Sequence, residues 1–223
     1  MSIKSNFLWL YFPFLIIFVQ ILIEIFIPHE QKANFHSEFG PHEMVQSVIL
    51  LAAGITAFAT LMLAQVRARL WIAAWTGIAF VFVCCIYVFG EELSWGQHIF
   101  QWSTPEYWTQ VNDQGETNFH NTSSWLDQKP RLLLEIGVLV GGIIIPALRY
   151  FNVALPKKFE LIYPNSKVFV TAMLALVITI TDKIDDALKD INIIERASEV
   201  EELYLYLFVL IYLVYFRKKM ASL

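Results

Sequence analysis

Six apolar stretches follow one another along the chain, most of them long enough to cross a lipid bilayer, and they constrain the fold more than any other feature. They cover residues 7–27, 44–66, 70–90, 132–150, 167–182 and 200–216. A helix rises about 1.5 Å per residue, so roughly 20 residues cross a hydrocarbon core about 30 Å thick. In lipid the backbone must satisfy its own hydrogen bonds, and apolar runs without alternation read as helices rather than barrel strands. The expectation is an all-α, polytopic six-helix transmembrane bundle, a single domain over residues 1–223, with a long outer-face loop over 91–130. The composition agrees: 57% of residues are hydrophobic and 16% charged, against about 25% charged in a soluble domain. No basic tract offers a nucleic-acid surface. Cys84 and Cys85 are adjacent inside an apolar run and read as small hydrophobes rather than a disulfide.

Polar punctuation sets the topology. The first run exceeds the usual signal-peptide core and is followed by no small-x-small cleavage site, so it reads as a retained span closed by Pro28. With the N-terminus inside, Lys4, Arg67, Arg69, Arg149, Lys157, Lys158, Lys167, Arg217, Lys218 and Lys219 fall on the cytoplasmic side, as the positive-inside rule requires. Both termini are then cytoplasmic, and all five histidines and nearly every acid, Glu160 excepted, face outward.

Two polar segments carry the candidate chemistry. Gly90-Glu91-Glu92-Leu93-Ser94-Trp95-Gly96-Gln97-His98 ends the third run, and Gly115-Glu116-Thr117-Asn118-Phe119-His120-Asn121 follows in the same loop. If the third helix continues, Glu91, Ser94 and His98 share a face while Glu92 points about 100° away, toward a neighbouring helix. Glu116 and His120 share a side whether the backbone is helical or extended, with Asn118 and Asn121 as supporting groups. A carboxylate beside an imidazole suits a general-base pair or a metal site. The candidate catalytic residues are Glu91, Glu92 and Glu116, and the candidate ligands of a divalent, zinc-like ion are His98, His120, Glu92 and Glu116. Supporting polar residues are Glu24, Ser94, Gln97, Asn118, Glu135, Asp182, Glu199 and Glu202. Acids inside spans face the bundle interior by default, so the expectation is one shared polar site at the outer boundary. Gly141-Gly142 in the fourth span permits a close helix approach.

The segments Glu91-Glu92-x-Ser94-Trp95-Gly96-Gln97 and Gly115-Glu116-Thr117-Asn118-x-His120-Asn121 resemble those of uncharacterised small multi-pass bacterial membrane proteins. The likeness spans the third run and the loop after it. It implies a place in the bacterial cytoplasmic membrane but no activity. Glu91-Glu92 is also distantly similar to the glutamate pair that opens the first motif of CAAX-type prenyl proteases. Trp95 and Gly96 stand near the position of that family's arginine, and its later histidine motifs are missing. The sequence therefore points to one of two functions. One is a membrane-embedded hydrolase or transferase acting on a lipid or lipid-linked substrate at the outer leaflet. The other is a channel, transporter or membrane-complex subunit whose acidic cluster binds cations or a protein partner.

Overall fold

The computed structural model describes residues 6–32, 35, 40–112, 115–119, 122, 124–188 and 193–223. Helices are the only regular secondary structure among these residues, with no strand among them. The first helix, α1 (Phe12–Phe26), follows a π-helical turn at Phe7–Tyr11. Next come α2 (Pro41–Leu61) and α3 (Ile72–Glu92), separated by a short helix at Ala64–Arg69. The fourth, α4, runs Ser124–Val138, passes through a second π-helical turn at Leu139–Ile144 and resumes over Ile145–Tyr150. Then α5 covers Phe169–Leu188 and α6 covers Ala197–Ala221.

Both π-helical turns sit just ahead of a proline, Pro13 or Pro146. Proline lacks the N–H that would close the preceding turn and its ring crowds the carbonyl four residues back, so the helix widens locally. In the same region the Tyr204 hydroxyl donates to the Pro13 carbonyl at 2.8 Å.

Among the described residues four helical stretches are long and apolar enough to cross a membrane: Phe7–Phe26, Pro41–Leu61, Ile72–Glu92 and Lys129–Tyr150. The first, third and fourth leave most of their apolar surface uncovered, whereas half of α2 is buried. The last two helices differ from these. Asp182, Lys183 and Asp185 shorten the apolar stretch of α5, and Glu199, Glu201 and Glu202 occupy the start of α6. The uncharged part of α6 is the centre of the molecule. Leu203, Tyr204, Leu207, Phe208, Ile211 and Leu213 are all buried, and residues around the whole circumference of a helix are buried only when neighbours surround it. Here α2 and α5 flank α6 and α4 touches it.

Helix boundaries depart from the expected spans where backbone geometry intervenes. The second run stops at Leu61 because Leu63 is extended, and residues 64–69 form a separate helix. The sixth reaches Ala221, since Arg217, Lys218 and Lys219 continue the helix rather than ending it. The described residues of the 93–123 connection include short helices at Gln97–Phe100 and Glu106–Val111. The glycine pair sits where helices touch: a Cβ on Gly142 would lie 2.3 Å from the Ala172 Cβ and 2.7 Å from the Phe208 ring.

Candidate functional site

The site begins where α3 breaks. Helical geometry ends at Glu92, and Ser94, Trp95 and Gly96 all take positive φ, at 45°, 54° and 87°. A left-handed conformation costs a residue with a Cβ about 1–2 kcal/mol, so two such residues in succession need compensating contacts. Trp95 supplies them by folding back over α3. Its ring occupies the space where a Cβ on Gly90 would lie, 2.8 Å away. Its indole N–H donates to Glu91 Oε1 at 2.7 Å, and its edge meets Tyr87 at 5.9 Å between centroids. Gly90 is therefore the seat of the indole.

The reversal brings the two polar segments together. Glu91, 3% exposed, accepts from Trp95 through one oxygen and from the Phe119 backbone N–H, at 2.6 Å, through the other. Gln97 closes a second clasp: its carbonyl accepts from the Thr117 N–H and hydroxyl, and its amide donates to Thr104, which in turn donates to the Gly115 carbonyl. The Glu116 carboxylate lies between them, 2% exposed. Ser94 Oγ donates to Glu116 Oε2 at 2.7 Å, the Asn118 amide donates to the same oxygen, and His98 Nε2 lies 2.8 Å from Oε1. Asn112 orients the group from behind. Its amide donates to the Asn118 side-chain and backbone oxygens, and its own oxygen accepts the Glu116 N–H. Most of this constellation is buried, but a third of the His98 side chain is exposed, so the imidazole is where the network meets its surroundings.

Chemically this is an imidazole paired with an immobilised carboxylate. Such a carboxylate fixes the ring's orientation and stabilises the imidazolium that forms when the ring takes a proton. The arrangement can support proton transfer at a surface.

The remaining acids lie at the same end of the bundle in separate clusters. Glu92 departs from Glu91 and meets α6, where the Tyr206 hydroxyl lies 3.1 Å from Glu92 Oε1 and 3.5 Å from Glu202 Oε2. That hydroxyl has one proton and serves one acid at a time. Arg131 pairs with Glu202 at 3.2 Å and lies 3.8 Å from Glu135. A third cluster surrounds Glu24, which accepts from Gln20, Lys32 and the Glu195 N–H. Asp182 lies 3.7 Å from Lys183, and Glu199 is 3.9 Å from Arg196 while its backbone carbonyl accepts from Gln46.

The structure thus gathers Glu91, Ser94, Gln97, His98, Glu116 and Asn118 into one site and places Glu92, Glu135 and Glu202 in a second. Glu24 stands in a third, while Glu199 lies within electrostatic reach of Tyr206 and Asp182 of Glu201, both beside the second. The expected helical continuation past Glu92 does not occur. Ser94 and His98 meet Glu116 through the left-handed reversal instead, since the chain must turn to reach it. His120, Asn121 and the side chain of Asp186 lie outside the described residues. Among the described residues no three His, Cys, Asp or Glu side chains converge as a metal ion requires.

Sequence reasoning missed Asn112, which is isolated from both motifs and gave no signal. It also missed Glu201, 3% exposed and held by the Thr179 hydroxyl at 2.7 Å. The adjacent pair Glu201-Glu202 at the start of an apolar helix is the signal that marks both acids. Comparison with protein-family models, with curated proteins and with solved structures finds no match.

Proposed function

We propose that this chain is a membrane-embedded hydrolase or transferase acting on a lipid or lipid-linked substrate at the outer leaflet, with His98 as general base and Glu116 as its positioning carboxylate. The observation carrying this reading is the 2.8 Å contact between His98 Nε2 and a Glu116 oxygen whose partner oxygen is already held by Ser94 and Asn118. The imidazole takes the proton of a water or a substrate hydroxyl as that oxygen attacks, then returns it to the leaving group. Glu116 stays buried and holds the ring in place. Glu91 has a different task, because its two oxygens close the fold of the site. Four helices long and apolar enough to cross a membrane, with the site at the end of the third of them, favour a lipid or lipid-linked substrate.

The test is turnover of lipid-linked substrates by purified protein in vesicles. His98→Ala should lower activity by about 10²–10⁴-fold, as general-base losses do, Glu116→Gln should lower it by misplacing the ring, and both should keep the fold. Activity unaffected by either change would refute the assignment. Metal content of the same preparations separates a base from a ligand. A stoichiometric divalent ion that is lost in His98→Ala would mean that the imidazole ligates a zinc-like ion.

A second reading, a channel or transporter, draws on a separate observation. Gln20 Oε1, Gln46 Oε1 and Ser47 Oγ are buried in α1 and α2 without a hydrogen-bond partner among the described residues. Such oxygens are costly in an apolar medium unless water or a cation reaches them. Ion flux through vesicles that falls in Gln20→Leu and Gln46→Leu would favour this reading, and unchanged flux would remove it.

A further inference from the structure

The described residues of the segment from Ser94 to Phe119 carry a surface rich in large apolar side chains. Ser94, Gln97, Asn112, Glu116 and Asn118 turn inward and are each 6% exposed or less, while Gln101, Ser103, Glu106, Thr109 and Gln110 stay at the surface. Its large apolar side chains turn outward: Phe100 is 74% exposed, Tyr107 66%, Ile99 58%, and Trp95, Phe119 and Trp102 each 40–47%. Phe100 and Trp102 stack on one another at 6.1 Å with an interplanar angle of 8°, so their faces form a plate. A large exposed aromatic patch on a surface marks an interaction site.

Two further observations identify the partner. The patch is continuous with the exposed apolar face of α3, because Trp95 packs on Gly90 and Tyr87 in the last turns of that helix. No lysine or arginine occurs between Arg69 and Lys129, and Glu106 is the only formal charge from 95 to 111. A surface that is aromatic and almost uncharged suits the headgroup–acyl boundary of a bilayer, where Trp and Tyr rings concentrate. We infer that residues 95–111, with Phe119, form a platform inserted into the leaflet at the Glu92 end of the bundle. Its partner is the lipid itself, contacted through the aromatic plate and not through electrostatic attraction to anionic headgroups. The inference stands whether or not His98 is catalytic. If it is, substrate reaches the imidazole laterally from the membrane.

Site-directed spin labelling tests this in the full chain. With Cys84 and Cys85 replaced by alanine, single cysteines at Ile99, Phe100, Tyr107 and, as a water-exposed control, Ser222 are labelled and reconstituted into phosphatidylcholine vesicles. Labels at 99, 100 and 107 should collide severalfold more with oxygen, which dissolves in lipid, than with a water-soluble nickel chelate. The label at 222 should show the reverse. Chelate-dominated collisions at 99, 100 and 107 would overturn the inference, as would spin–spin broadening at 100 that disappears on dilution with unlabelled protein, which would make a second copy the partner. A measurement on the native cysteines guards against misfolding. Quenching of tryptophan emission by brominated phosphatidylcholine should fall in Trp102→Phe, and equal quenching in the two proteins would also overturn it.

Discussion

At the scale of single residues, Glu91 and Glu92 are neighbours with unrelated roles. Glu91 takes two buried donors from a single loop, the Trp95 indole and the Phe119 amide. Glu91→Ala would strand both, and a buried unsatisfied donor costs about 1–3 kcal/mol. We expect Glu91→Ala to lower the unfolding midpoint in detergent, to speed hydrogen exchange at Phe119 and to change Trp95 emission. An unaltered Phe119 amide would contradict the clasp. Glu92 meets Tyr206, whose hydroxyl also lies near Glu202. Tyr206→Phe removes that hydroxyl and should cost about 1 kcal/mol without disturbing Phe119 exchange, because the two acids face different elements.

At the scale of elements, close contact between α4 and its neighbours depends on Gly142. A methyl there would collide with the Ala172 Cβ and the Phe208 ring, and overpacking costs about 1–3 kcal/mol. Gly142→Ala should therefore destabilise the bundle. On the same helix, a Cβ on Gly137 meets nothing within 4 Å, so Gly137→Ala should be neutral or slightly stabilising through helix propensity, by up to about 1 kcal/mol. Thermal unfolding of the two variants side by side checks the contrast. If both shift alike, the close approach does not hold α4 in place.

At the scale of the whole molecule, Arg131 ties α4 to the start of α6 through Glu202. Breaking a buried pair costs about 3–5 kcal/mol, and less is expected here because both side chains keep some exposure, 20% and 16%. Arg131→Met leaves Glu202 uncompensated beside Tyr206 and Glu92, so it should destabilise more than the double change Arg131→Met/Glu202→Leu. A double-mutant cycle of unfolding free energies reads the coupling, and additive effects would mean that the pair does not bridge the helices. The sequence by itself determined the helical class, the apolar stretches of α1 to α4 and the involvement of both polar motifs, because burial in lipid imposes length and composition on every crossing segment. Glu91, Ser94 and His98 were legible as candidates from residue type and spacing alone. Only the tertiary structure decided which carboxylate meets which partner. The left-handed reversal at Ser94, Trp95 and Gly96 is stabilised by long-range contacts, with Glu116 and Phe119, that local pattern does not encode. The same holds for the centre of the bundle: α6 is buried on all sides because α2, α4 and α5 surround it, and only packing determines which of several apolar helices is enclosed.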